Sequence, residues 1–218
     1  VGDIVASLHD VNVAYATLDN HKRGDYQPYV YVTRNQGRSW QSIAGDLPVR
    51  GSAHTIVEDH IDPALLMVGT EFGIFYTQNG GKNWQPLRGN FPTIAVRDLE
   101  VQRRESDLIV GTYGRGIYIL DDYSPLRTSA SEVGGAEATL FPIRDSLLYV
   151  VGDKWNSGQG IGDVGTSGAA FFNTPNPPFG AVFTYYLRDG LKTAREVRRA
   201  EEKRRQIEGN DNPYPPWD

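Results

Sequence analysis

Cysteine is absent and methionine occurs once in the 218 residues. A disulfide framework, a thiol nucleophile and any zinc site with cysteine ligands are therefore excluded, while the cellular compartment stays open. No apolar run reaches the roughly 18 residues that a membrane-crossing helix needs. The opening VGDIVASLHD has neither the basic start nor the apolar stretch of a signal peptide, and it reads as a strand, so the chain is expected to begin within a fold. An excess of positive charge is missing too: 22 Lys and Arg stand against 27 Asp and Glu, a formal net charge of -5. Such a chain has no general attraction to a phosphate backbone or an anionic membrane. The expected partners are other protein chains, peptides or glycans, with no nucleic acid and no membrane span.

What is plentiful is glycine and aromatic side chain. The 24 Gly, 12 Tyr and 4 Trp favour short strands joined by tight turns, and an all-β fold is the expectation. Laid against itself, the chain repeats. YVYVTRNQGRSWQSI (29–43) aligns without gaps on GIFYTQNGGKNWQPL (73–87). Upstream of these lie AYATLD, matched at Thr17, and LMVGTE, matched at Thr70; a third copy, LIVGTY at Thr112, runs on into GIYILDD. The period, about 42 to 44 residues once an extra loop at 21–28 is set aside, belongs to propeller blades of about four strands each.

Strands are expected at 4–8, 13–18, 29–33 and 39–43 in the first blade, and at 55–58, 65–70, 73–77 and 83–87 in the second. The third has strands at 96–101, 108–112 and 116–120 and then breaks at Asp121-Asp122-Tyr123-Ser124-Pro125. The fold class is thus a partial β-propeller: about three blades of four-stranded antiparallel sheet, the last incomplete, followed by an irregular β segment and one charged α-helix. A ring needs roughly four to eight blades, so the remainder is expected from the rest of the propeller or from other chains.

The two full copies share a turn, T-x-N-x-G-x-S/N-W. Its residues are Thr33, Asn35, Gly37, Ser39 and Trp40 in the first and Thr77, Asn79, Gly81, Asn83 and Trp84 in the second. An Asx side chain can bond the backbone ahead of it, glycine supplies a positive φ, and tryptophan offers a large face for packing between sheets. These turns resemble the Asp boxes, or bacterial neuraminidase repeats, of sialidases, xyloglucan-cleaving propellers and sortilin-like ectodomains, with Asn in place of the usual Asp. The stretches DNHKRGDYQPYVYVTRNQGRSW, VGTEFGIFYTQNGGKNW and FPTIAVRDLEVQRRESDLIVGTYGRGIYILDD are similar to large bacterial sortilin-like or BNR-repeat "glycosyl hydrolase" proteins. The resemblance implies an extracytoplasmic protein, periplasmic or secreted, in which the boxes are structural.

Past the propeller (1–123) the reading gives an irregular segment (124–179): a polar linker at 124–138, a strand at 139–151 and a Gly-rich loop at 152–168. GQGIGDVG (158–165) superficially matches a dinucleotide-binding pattern, but no apolar strand precedes it and no helix follows, so it is not read as a phosphate cradle. From 180 the start of a second, β-sandwich-like domain is expected, with a strand at 180–187 and a helix at 189–208 capped by Asp189. Both charge signs interleave along that helix, so Lys203-Arg204-Arg205 reads as a solvated face.

Candidate site residues lie at the ends of inner strands, where propeller loops converge. Glu58, Asp59 and Asp98 are the carboxylates that could serve a glycosidase as acid and base, a chemistry that needs two of them about 5 to 10 Å apart. His54, His60, Glu71, Arg97, Tyr113 and Arg115 are the candidate binding residues. Adjacent residues of a strand face opposite ways, so Asp59, His60 and Asp62 are not read as a transition-metal site; a structural Ca²⁺ at Asp121-Asp122 is the one ion considered, and no cofactor is expected. The leading function is a binding or interaction module for a peptide, glycan or subunit. The alternatives are a glycoside hydrolase with most of its catalytic residues elsewhere and a structural subunit of a multi-chain assembly.

Overall fold

The computed structural model describes residues 1–128, 130–146, 148, 179–209 and 214. The chain divides into two units, Val1–Ala130 and Ser131–Asp218. The first contains three antiparallel sheets that follow one another along the chain. Sheet one is β1 (Asp3–Ala6), β2 (Ala14–Asn20), β3 (Asp25–Thr33) and β4 (Gln41–Ser42), in that order across the sheet. Sheet two repeats the order with β5 (Ala53–Glu58), β6 (Leu66–Thr70), β7 (Gly73–Thr77) and β8 (Gln85–Pro86). Sheet three has β9 (Val96–Gln102), β10 (Asp107–Thr112) and β11 (Ile117–Leu120). β5 packs against β1 and β2, and β9 packs against β5 and β6, so neighbouring sheets meet along their innermost strands. This is a partial β-propeller with three blades, the third three-stranded.

The burial pattern explains why the middle blade carries the most apolar strands. Every residue of AHTIVE (β5) and LMVGT (β6) is buried, because sheet two is covered on both faces and alternation gives way to a continuous apolar run. Successive side chains still point opposite ways. Leu66 and Val68 join Tyr15, Val30, Val32 and Ile56 in the core between blades one and two. Met67 joins Val57, Leu99, Leu108 and Val110 in the core between blades two and three. The outer faces lack such cover: Ile4 is 62% exposed, Ile117 71% and Ile119 58%.

The structure moves the repeat by one residue in the first blade. Thr33 and Thr77 occupy the same place in their turns, and their partners are Ala14 and Leu66. Counting from there sets Thr17 beside Gly69 and Leu18 beside Thr70, not Thr17 beside Thr70. AYATLD laid ungapped on LMVGTE already has this register; matching threonine to threonine shifts it by one residue, and the bulge between Leu18 and Asn20 lies beyond the shift. The extra loop at 21–28 is mostly an extension of the β2–β3 hairpin, closed by a 3-10 turn at His21–Arg23 with Gly24 at φ 76°.

Both repeated turns close in the same way. Thr33 Oγ1 accepts from Gly37 N at 2.9 Å and Asn35 Oδ1 from Ser39 N at 2.9 Å. Thr77 Oγ1 accepts from Gly81 N at 3.1 Å, and Asn79 Oδ1 from the N–H groups of Lys82 and Asn83 at 3.0 Å each. The amide also donates, from Asn35 Nδ2 to Ser39 Oγ and from Asn79 Nδ2 to Asn83 Oδ1. A carboxylate cannot donate, which gives Asn its own use here. The tryptophans differ. Trp84 is 6% exposed and bonds Ile43 O through Nε1, while Trp40 is 42% exposed, because the face it would cover belongs to no blade among the described residues.

The first unit runs past Tyr123 to Ala130. Tyr123, Leu126 and Arg127 return to the core and polar ties of blades two and three, so 124–128 forms a 3-10 turn (Ser124–Arg127) rather than a free linker. The second unit has a short helix α1 (Ala130–Gly134), then β12 (Ala138–Leu140) paired antiparallel with β13 (Tyr185–Leu187). The strands expected at 139–151 and 180–187 are thus three residues each where described, and the Gly-rich loop at 152–168 lies outside the described residues. The helix α2 spans Ala194–Ile207. Its cap is Thr193, not Asp189: Thr193 Oγ1 accepts from Glu196 N, and the Glu196 carboxylate accepts from Thr193 N, a T-x-x-E capping box. Its surface is ion-paired, with Arg198 to Glu202 and Arg205 to Glu201.

Candidate functional site

Antiparallel blades place their loops at two ends. One end holds the turns from the first to the second strand of each blade and the repeated turns; Glu58, Asp59 and His60 sit there, closing β5. Each is occupied. Glu58 is 4% exposed and accepts from Ser7 Oγ, Leu8 N and the Tyr15 hydroxyl, so it ties blade two to blade one. Asp59 is fully buried and takes two hydrogen bonds from the Arg127 guanidinium, at 2.9 Å each, and one from the Tyr123 hydroxyl. Burial alone would raise its pKa. Arg127 and Tyr123, with the N–H groups of Asp62 and Ile61, overcome that and hold it well below the usual carboxylate range. Burial pushes the neighbouring His60 down.

Asp98 is elsewhere. In register, Asp98 lies opposite Gly111, as Thr55 lies opposite Gly69 and Asp3 opposite Thr17. Glu58 lies opposite Leu66 at the other end of its strand. The structure therefore does not bring Glu58 or Asp59 together with Asp98: Glu58 faces blade one and Asp98 is exposed on the side of β9 away from Leu99. Asp3 shows what this strand position does between blades, accepting from Thr55 Oγ1 and Ile56 N. Asp122 Oδ1, in the pair considered for Ca²⁺, accepts from Ser124 N and Oγ.

At the opposite end four of the remaining candidates, His54, Glu71, Arg97 and Tyr113, converge. His54 is the second residue of β5, Glu71 follows β6 and Arg97 is the second residue of β9. His54 is 7% exposed. Arg97 donates to its Nδ1 at 3.1 Å, so that nitrogen carries no proton, and Nε2–H faces Glu71 Oε2 at 2.9 Å. Arg97 also reaches Glu71 at 3.5 Å and lies 5.4 Å over the Tyr113 ring. Arg115 stands in the neighbouring turn and shares in none of these contacts. The reading from sequence missed Asp19, whose carboxylate accepts from His21 Nδ1 and N and lies 3.9 Å from His54. Burial acts to raise its pKa, but His21 and Ser52 outweigh that and hold it low. The signal available was the repeat itself: AYATLD laid on LMVGTE sets Asp19 on Glu71.

Beside this cluster a cleft of about 750 Å³ opens between the tip of the β2–β3 hairpin, the loop before β5 and the Glu71 turn. Tyr26, Val49 and Phe72 line it at 56%, 80% and 55% exposure, with Arg50, Ser52, Glu71 and Arg97 among the polar groups. A second hollow of about 590 Å³, lined by Asp19, Lys22, Arg23 and His54, shares His21 and Arg97 with it. The Ser52 hydroxyl is buried and closes no hydrogen bond of normal geometry, though it lies near enough to Asp19 to help keep that carboxylate ionised.

No family model matches the chain, and no curated protein does. Among solved structures, an ancestral GH74 enzyme is similar at a TM-score of 0.42 and 20% identity, over 50% of this chain and 16% of its own. A GH74 enzyme from Niastella koreensis gives 0.41 and 13%, over 52% and 18%. YCF48, solved bound to a D1 peptide, gives 0.38 and 20%, over 51% and 34%. The chain thus spans about a third or less of these proteins' lengths.

Proposed function

We propose that the chain is the ligand-recognition part of a larger extracytoplasmic, sortilin-like propeller protein, and that it holds a peptide segment in the cleft beside Arg97. The observation that carries this is the cleft itself. Three apolar side chains, Tyr26, Val49 and Phe72, are left exposed around a polar floor in which Glu71, Arg97 and the adjoining His54 already bond one another, and exposed apolar groups with a few convergent polar ones mark binding sites. The sortilin-like and extracytoplasmic parts of the proposal rest on the resemblance of the repeated turns.

Hydrolysis is the less supported chemistry. The two carboxylates flanking His54 are Asp19 and Glu71; a glycosidase needs one of its pair protonated as an acid, yet Asp19 is held ionised and Glu71 is engaged by His54 and Arg97. The test is selection of phage-displayed random 12-residue peptides on the full chain and on a Tyr26→Ala/Phe72→Ala variant. Enrichment on the wild type that is lost on the variant supports the proposal. Equal enrichment on both, or none on either, overturns it.

A further inference from the structure

Charge in the cleft is unevenly committed. Asp19 is taken by His21, and Glu71 by His54 and Arg97. Lys22, Arg23 and Arg50 have no ion-pair partner among the described residues, and Arg50 stands exposed on the wall beside Phe72. One uncommitted cation thus lines the cleft and two more line the adjoining hollow, in a chain whose net charge is -5. The residues lining the two hollows carry four cations, Lys22, Arg23, Arg50 and Arg97, against two carboxylates, Asp19 and Glu71, so the balance of charge there is positive.

We infer that the cleft takes an acidic peptide segment, with a carboxylate on Arg50 and a neighbouring apolar side chain against Tyr26, Val49 and Phe72; this rests on the binding reading above. A guanidinium donates two parallel hydrogen bonds to a carboxylate. Lys22 and Arg23, on the hairpin turn at the edge of the adjoining hollow, extend the attraction to further acidic residues. An acidic glycan shares the carboxylate but not the rest. A sugar's hydroxyls need several uncommitted polar side chains, and beside Arg50 the cleft offers Gln27 and the buried Ser52 hydroxyl, whereas its apolar wall suits a leucine or an aromatic ring. Because these cations are exposed, their contribution is screened by salt and shows as a steep ionic-strength dependence.

The experiment takes the peptides enriched on the full chain, labels them with fluorescein and titrates them by anisotropy against the wild type, Arg50→Glu and Phe72→Ala. Arg50 has no partner to lose, so its variant folds. Expected are sequences with Asp or Glu next to a large apolar residue, and affinities that fall about tenfold or more in Arg50→Glu and fall as salt is raised. Enriched peptides without acidic residues, bound equally by Arg50→Glu yet lost in Phe72→Ala, would overturn the acidic class and leave the binding reading standing. Oligogalacturonate bound as tightly as the selected peptides overturns the choice of peptide. No enrichment at all on the wild type removes both.

Discussion

At the scale of single residues, the sequence exposed the unusual side chains but not their work. Asp59 is conspicuous as an acid between a strand and a turn. Its partners Tyr123 and Arg127 lie 64 and 68 residues away, and no local pattern connects them. The pairing makes Asp59 a latch that fastens the segment after blade three onto blade two. Removing one member of a buried pair costs about 3 to 5 kcal/mol, so Asp59→Asn is expected to lower stability by that order in urea unfolding at neutral pH. Its folded pKa lies below the ordinary value of about 4, so the stabilisation is complete above that value and drains away as pH falls through the lowered one. The gap between wild type and variant should therefore narrow below about pH 4; a constant gap means the carboxylate is not what the latch uses.

Two glycines at matching register positions make a second residue-scale test. A Cβ on Gly69 would come within 2.7 Å of Thr55 Cγ2 and Val96 Cγ1, at the junction of blades two and three. On Gly111 the nearest atom is Asp98 Cβ at 3.2 Å, on the open face. Overpacking a filled core costs about 1 to 3 kcal/mol; Gly69→Ala should show a loss of that size in thermal or urea unfolding and Gly111→Ala a clearly smaller one. Equal losses would mean that the junction at Gly69 is no tighter than the open face at Gly111.

At the scale of elements, legibility followed local chemistry. The hairpins and both repeated turns were readable, because a turn carries its hydrogen-bond partners within a few residues. Asn79 Oδ1 receives two backbone N–H groups, and Asp46 pins Trp84 N and the Asn83 side chain from blade one. Leaving such donors unsatisfied costs about 1 to 3 kcal/mol, and Asn79→Ala is expected to lose that much. Asn35→Ala should lose less, since its turn carries the exposed Trp40. Chemical denaturation of both variants checks the order. What was misread was the register of the first blade, where matching threonine to threonine displaced Thr17 by one residue, and the helix start: Thr193 and Glu196 form the capping box in plain sight, but Asp189 is the first residue of capping type and drew the boundary upstream.

At the scale of the whole molecule, the blade count and the missing fourth strand of blade three were legible, because blades repeat in sequence as they do in space. The site was not. Inner-strand ends alternate between two opposite faces of the propeller, and a linear reading puts His54 and Glu58 side by side although they stand at opposite ends of β5. Only the register shows that His54, Glu71 and Arg97 share one face with Asp19 and the cleft, while Glu58 and Asp59 hold the blades together at the other. A binding role for the first face and a structural one for the second is the central claim.

Hydrogen–deuterium exchange of the full chain, with and without a peptide selected on it, separates the two faces directly. The account predicts slowed exchange at 24–28, 49–52 and 71–73 on adding the peptide, and no change at 34–39, 59–64 and 78–84. Protection confined to the second set of segments would contradict it and place the ligand on the face assigned here to holding the blades together.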